Sequence, residues 1–456
     1  MSLYKNLLLC LPEVSMPTKK QTLKKRLIWT GIILVLFLFL TSVPLFGISA
    51  EGESYFKTLE LLFGAKIGKL LTLGIGPIVT SSIVLQLLKG SGILNFDITT
   101  EEGKFYYSGS HKLLTFAFII LESIVYVAFG AVQPSSPEFF WIVSLQLALG
   151  AFIVFYMDEV VKNWGIGSGV SLFIAAGISK AVFLQILSPF TSSGELGWIF
   201  GGTEIPIGKL WAGLYYISHQ QVSDLLTSVL GPIAITVLLF LLIVFFQSVN
   251  VEIPLSFGRI RGQSTKWPLN FFYAGVIPVI LISAMGANLK LMANMWERFT
   301  SVETGSSLFS AVIGYLQPIT IWSSLGNLTS ISVWPKILVY LIYMILGSTI
   351  FSFFWVQSGG MDAKSQAKQI LDSGLQIPGF RKDARIIERV LERYIMPLTI
   401  LGGIGIGILA ASANVLSALT SGTGILLLIM IIYQFYKELA RESMEDFSLL
   451  QKLMRK

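Results

Sequence analysis

Apolar residues in this chain gather into long unbroken runs, each near the length that carries a helix across a bilayer. The hydrocarbon core is about 30 Å thick and takes about 20 such residues. Ten membrane segments follow from the pattern: Leu27–Phe46, Ile75–Leu88, Leu113–Val132, Phe139–Met157, Ser168–Leu187, Val229–Ser248, Phe271–Leu289, Pro335–Val356, Ile395–Ala413 and Thr420–Tyr436. The second is too short. At 1.5 Å per residue its 14 positions make roughly 21 Å of helix. Pro77 suits a first helical turn, and Gly74 and Gly76 let the backbone turn sharply before it. The stretch therefore predicts a half-helix that starts inside the membrane. A broken helix at that depth needs protein or a water-filled cavity around it, which points to a pore.

Composition supports a multi-pass membrane protein. The chain has 456 residues, 54% hydrophobic and 13% charged, with a mean hydropathy of +0.73. Soluble domains carry about 25% charged residues. The N-terminal 26 residues are polar and basic and the first apolar run is of full spanning length, so it reads as a span rather than a cleavable leader. With the N-terminus inside, 25 of the 33 lysines and arginines fall in inner segments, although the outer loops Gly47–Gly74, Ser188–Ser228 and Lys290–Trp334 are long. The positive-inside rule then puts both termini in the cytoplasm. Five spans on either side of Ser188–Ser228 suggest two halves of opposite orientation, though no convincing sequence repeat stands out. The organisation read from the chain is an inner N-terminal segment (1–26), a first half (27–187), an outer connection (188–228), a second half (229–436) and a tail (437–456).

Two inner loops are basic: Asn250–Pro268, with Arg259, Arg261 and Lys266, and Gln357–Tyr394, with Arg381, Lys382, Arg385, Arg389 and Arg393. The inside rule and anionic lipid explain them as well as a polyanionic partner does. Tyr55–Leu73, punctuated by Gly64 and Gly68, is amphipathic; it either folds back into the membrane or lies on the outer leaflet.

Candidate chemistry is sparse. GIGSG at Gly165–Gly169 follows an apolar segment rather than a strand, so it is not a nucleotide loop, and SGTG at Ser421–Gly424 is a close-packing device. One cysteine, Cys10, and two separated histidines, His111 and His219, give no metal cluster. The expectation is a protein that is not an enzyme and needs no cofactor or metal. Glu122 is the clear charge inside a span and reads as a polar contact between helices. Lys180 is expected to snorkel outward. On pattern alone, Ile75 with Val79 and Val170 with Ile174 are packing positions. Asn327-Leu328-Thr329 is a glycosylation tripeptide in an outer loop.

The stretches TLGIGPIVTSSIVLQLL, NWGIGSGVSLFIAAGIS, VEIPLSFGRIRG, IPVIL, GFRK, RYIMPLT and SGTGILLLIMIIYQ, in this order, resemble the SecY family of protein-conducting channel subunits in its archaeal or eukaryote-like form. The resemblance implies an all-α polytopic fold of ten helices in two inverted five-helix halves around an hourglass pore in the cell membrane. It implies a pore ring of Ile75, Val79, Val170, Ile174, Ile280 and Leu427, with Val170 where isoleucine is common. It places a plug at about Tyr55–Lys69, including Tyr55, Leu59, Leu62, Gly64 and Ile67, and a lateral gate at Thr80, Glu122 and Asn288. Arg259, Arg261, Arg381 and Lys382 become ribosome contacts. The implied partners are a SecE-type subunit, a small single-span subunit, the ribosome, signal peptides, nascent polypeptides and membrane lipids. The implied function is passage of unfolded secretory chains and release of transmembrane segments sideways. Two other readings remain: a small-molecule secondary transporter, which calls for more buried charge, and a membrane scaffold, which leaves the half-helix without purpose.

Overall fold

A computed structural model describes residues 11–18, 21–48, 68–90, 93–94, 100–128, 132–191, 196–198, 202, 204–257, 264–300, 308–318, 333–372, 375–376, 383–416 and 418–454. Each of the ten apolar runs forms a helix. In the first half these are α1 (Leu23–Leu40), α2 (Gly76–Gly90), α3 (Glu101–Ala128), α4 (Phe140–Trp164) and α5 (Gly169–Leu187). A short helix, α6 (Lys209–Ser218), lies in the connection. The second half begins with the helical run α7 (Val222–Ser248), which includes a π-helical turn over Leu225–Leu230. It continues with α8 (Ile277–Thr300), the short α9 (Leu308–Tyr315), α10 (Val333–Ser358), α11 (Ala363–Asp372), α12 (Ala384–Val415) and α13 (Gly422–Met454).

Among the described residues, seven helical runs are long and apolar enough to cross a bilayer. Two of the others depart for physical reasons. The run Leu23–Leu40 opens with Lys24, Lys25 and Arg26. α2 has 15 residues, as its half-helix pattern requires. α8, at 24 residues, is long enough to reach across a bilayer. Some helices outrun the apolar runs. α3 begins at Glu101 rather than Leu113, and there Lys112 pairs with Glu159 of α4 at 2.6 Å, which holds the two polar ends together.

One apolar cluster runs through both halves, with Phe37, Phe173, Leu147, Ile282, Ile406 and Leu426 among its buried members. α10 and α12 make the closest pairing in the second half. Small residues allow it: a Cβ on Gly403 would lie 2.8 Å from Thr349 Cα, and Ser348 Oγ donates to Gly403 O at 2.7 Å. Such small-residue faces are how helices approach where lipid gives no hydrophobic drive.

The inner segments add a sheet that the loop reading did not assign. β1 (Asn250–Phe257) pairs antiparallel with β2 (Ser264–Asn270) and, at its end, with β3 (Leu375–Gln376), in the order β2-β1-β3. Val251, Ile253 and Leu255 alternate with exposed Asn250, Glu252 and Pro254, the period-two signature of a half-buried strand. Pro254, which lacks an N–H, has Lys266 of β2 as its register partner. Ile253, Leu255 and Leu269 pack with Ile370, Ile387 and Leu391 into a second core. Ser256 is the register partner of Gln376, so the strands leading into the two basic loops are neighbours.

Candidate functional site

The six aliphatic residues expected to form the pore ring lie at the starts of four helices. Ile75 immediately precedes α2 and Val79 lies in its first turn; Val170 and Ile174 occupy the first two turns of α5; Ile280 lies in the first turn of α8 and Leu427 in the second turn of α13. Ile75, Val79, Ile174 and Leu427 are buried in the central cluster, and Val170 and Ile280 pack against it. All six thus belong to, or pack against, one large apolar cluster.

Local backbone explains the α2 and α8 starts. Gly74 has φ +52° and Gly275 has φ +69°, a left-handed conformation that costs other residues about 1–2 kcal/mol. Each precedes a proline by three residues, Pro77 and Pro278. Gly74 N–H donates to Leu71 O at 2.9 Å, and Val79 N–H to Ile75 O at 3.0 Å. In the second half Gly275 N–H donates to Phe272 O at 3.0 Å, and Ile280 N–H to Val276 O at 3.3 Å. This Gly-x-x-Pro unit is an internal repeat too short to stand out in the sequence, and it gives Val79 and Ile280 equivalent places.

α5 and α13 repeat a second unit. Ser168-Gly169 and Ser421-Gly422 open the two helices, and Ile174 and Leu427 follow each glycine at the same distance along the chain. Asp158 Oδ1, at the end of α4, accepts the Val170 N–H at 2.9 Å. Asn414 Oδ1, at the end of α12, accepts the Thr423 N–H at 3.0 Å. The approach is close enough to require glycine: a Cβ on Gly169 would lie 2.6 Å from Asp158 Cα, and one on Gly422 2.3 Å from Asn414 N. Lys162 pairs with Asp158 at 2.5 Å, while Asn414 Nδ2 donates to Tyr340 Oη at 2.6 Å. Neither acceptor is a site residue on sequence grounds; a polar residue shortly before each Ser-Gly start is the signal that points to them.

The two halves meet along two seams. On one, α5 packs on α13; on the other, α2 packs on α8 and α10. At the second seam Thr80 of α2 hydrogen-bonds Glu122 of α3. Asn288 is half-buried on α8. Behind them Ser82 Oγ and His111 Nε2 lie 2.7 Å apart, as do Ser81 Oγ and Thr115 Oγ1. His111, isolated in the sequence, is therefore part of a polar ladder joining α2 to α3. Lys89 crosses the seam: its Nζ donates to Ser358 O at the end of α10 at 2.6 Å and lies 5.5 Å from the Tyr107 ring centroid. Lys180 Nζ donates to Thr41 Oγ1 at 3.2 Å, tying α5 to the end of α1 as an outward-reaching lysine would.

A cavity of about 450 Å³ lies beside the starts of α5 and α8, lined among others by Ser171, Phe272, Gly275, Met430, Tyr433 and Lys437. A second of about 380 Å³ shares Ser168, Ser171 and Gln434 with it and reaches Arg26 and Glu442, which form an ion pair. Among the described residues no group of three His, Cys, Asp or Glu side chains could hold a metal ion. Tyr55, Leu59, Leu62, Gly64 and Ile67, the basic residues Arg259, Arg261, Arg381 and Lys382, and Asn327 lie outside the described residues.

Comparison with known proteins is consistent across the chain. The SecY family model matches residues 69–436. The protein translocase subunit SecY of Methanothermobacter thermautotrophicus is 38% identical over 96% of this chain and 94% of its own. That of Methanocaldococcus jannaschii is 37% identical over 96% and 95%. Among solved structures, a protein-conducting channel superposes with a TM-score of 0.80 at 36% identity, covering 96% of both chains. A study of how the SecY plug domain stabilises the closed state supplies another at 0.78, also 36% identical over 96% of both. Sec61 from the canine ribosome-channel complex gives 0.77, with the same identity and coverage.

Proposed function

Since the chain belongs to the SecY family, we propose that it is the pore-forming subunit of a protein translocase, and that Ile75, Val79, Val170, Ile174, Ile280 and Leu427 are its pore ring. What supports this is that the six aliphatic residues lie at four helix starts, built as two pairs of related units, and belong to or pack against one apolar cluster. A narrow apolar ring blocks water and ions by dewetting. It also offers no directional hydrogen bond to which a passing side chain could stick, so any sequence can traverse it. Tyr55–Lys69 serves as the plug, directly before the half-helix.

The α2–α8/α10 seam is the lateral gate, with Thr80, Glu122 and Asn288 setting its polarity. A segment leaves through it when its apolar area, at about 25 cal/mol per Å², favours lipid over the pore. Polar gate residues raise the hydrophobicity such a segment needs. Both termini lie in the cytoplasm and the membrane is the cell membrane, a reading that rests on the distribution of lysine and arginine. The inner segments Asn250–Pro268 and Gln357–Tyr394, with Arg259, Arg261, Arg381 and Lys382, dock a ribosome. The start of α12 supports this, because Arg385, Arg389 and Arg393 are exposed at intervals of four. A SecE-type subunit and a small single-span subunit complete the complex, and signal peptides enter at the seam.

The test is reconstitution with those two subunits in lipid vesicles. Protease-protected accumulation of an unfolded precursor is expected. A correctly folded complex that admits a small solute but no precursor would contradict the reading.

A further inference from the structure

The connection between the halves carries a helix that spans nothing. α6 ends in a tight turn where Gln220 takes φ 55°, and Gln221 N–H donates to Tyr216 O at 3.0 Å. It runs back along the first turns of α7: a Cβ on Gly213 would lie 3.5 Å from Val229 and 3.8 Å from Leu225. Trp211 Nε1 donates to Leu187 O at 2.9 Å, which fixes the other flank to the end of α5.

Depth follows from α7. Its 27 residues make about 40 Å of helix against a hydrocarbon core of about 30 Å. With polar Gln247 and Ser248 marking one boundary, the first two turns of α7 stand at headgroup level on the other side. α6 lies beside those turns, so Lys209 and Leu210 lie at its deeper end and Ser218 at its outer end. Ala212 and Gly213 face the protein. Leu210, Leu214 and Ile217 form a separate stripe and are 47%, 47% and 61% exposed. Leu226 and Leu230, in the neighbouring turns of α7, are exposed as well. Trp198, Trp211, Tyr215 and Tyr216 surround the stripe, the residue types that settle at the membrane–water boundary. The polar residues Ser218, His219, Gln220 and Gln221 are exposed and gathered at the outer end.

We propose that α6 is an interfacial helix whose Leu210–Leu214–Ile217 stripe faces lipid at the boundary between headgroups and acyl chains of the adjacent leaflet. The covalent link between the two halves is thereby anchored to lipid. Movement of one half against the other then drags α6 through the interface, which makes opening sensitive to lipid packing on that side.

The test places a single nitroxide label on the full chain in phosphatidylcholine vesicles, with Cys10→Ser and one cysteine at Leu210, Leu214, Ile217 or Gln221. Collision with oxygen, which concentrates in acyl chains, is compared with collision with a water-soluble nickel chelate. The expected oxygen-to-nickel ratio is severalfold higher at the three stripe positions than at Gln221. Equal ratios at all four would place the stripe in water and overturn the proposal. Low collision with both reagents at the stripe would overturn it too, because a protein surface or a second copy would then cover α6. Bromolipid quenching of a fluorophore at the same positions gives an independent reading: quenching at Leu214 and none at Gln221 is expected, and the absence of quenching at both contradicts it.

Discussion

Asn414 holds the backbone N–H of Thr423 at 3.0 Å, and in doing so fixes the first turn of the helix that carries Leu427. Asp158 holds Val170 in the same way at 2.9 Å, one residue inside the helix that carries Ile174. Three residues of the proposed ring, Val170, Ile174 and Leu427, thus hang from helix starts that are capped from a neighbouring helix. Loss of a cap acceptor costs about 1 kcal/mol, and a buried N–H left unpaired about 1–3 kcal/mol.

Asn414→Ala is accordingly expected to raise the resting ion conductance of the channel in planar bilayers, whereas Asn414→Asp, which keeps the acceptor oxygen, stays near the parent. A structural defect alone would lower thermal stability without changing conductance. Equal conductance for parent and Asn414→Ala would remove the cap from the account.

The Lys89 bond to Ser358 O spans the proposed gate, joining a cation to the carbonyl end of α10, where the helix dipole favours positive charge. The lysine is half-exposed, so its contribution is about 1 kcal/mol. Lys89→Met is expected to open the seam more readily, by about fivefold at that energy. Test segments of graded leucine content would then leave for lipid at a lower hydrophobicity. An unchanged threshold contradicts a latch at this point.

Gly275→Val places a β-branched residue at φ +69°, where glycine is free and other residues are strained. The start of α8 shifts and Ile280 with it. Faster ion leak is expected, together with a melting temperature lower by about 1–2 °C, the scale of a ~1–2 kcal/mol loss in a chain of this length. A leak equal to the parent's despite the lower melting temperature would mean that Ile280 does not contribute to the seal.

Charge reversal at Arg381 is expected to weaken ribosome binding and to flatten its dependence on salt, since each phosphate no longer neutralised takes about one counterion out of the slope. Co-sedimentation across a salt titration measures it. An unchanged slope would remove Arg381 from the interface.

Much of the fold is legible in the chain, and the reasons are physical. Spans announce themselves because a bilayer demands length, so all ten apolar runs are helices. The half-helix is visible because Pro77 and its glycines break a run too short to cross. Its ring is not visible: Ile75 and Val79 look like any packed pair, and only likeness to a family gives them a pore. Inverted repeats hide because the halves share turn chemistry rather than sequence, so Gly74 with Pro77 and Gly275 with Pro278 emerge only from matching φ angles and hydrogen bonds. The β1 strand escapes because Pro254 interrupts its alternation and, with Pro268 in the neighbouring strand, suggests a loop.

The central claim, that these six side chains touch a polypeptide in transit, is tested most directly by photocrosslinking. A benzophenone amino acid is placed in turn at Val79, Ile174, Ile280 and Leu427, and at Leu147 and Phe37, which are buried in the same cluster. A secretory chain is then arrested across the membrane. Adducts at the four ring positions and none at Leu147 or Phe37 are predicted. Adducts at none of the four, with the chain shown to be arrested and protease-protected, would contradict the account.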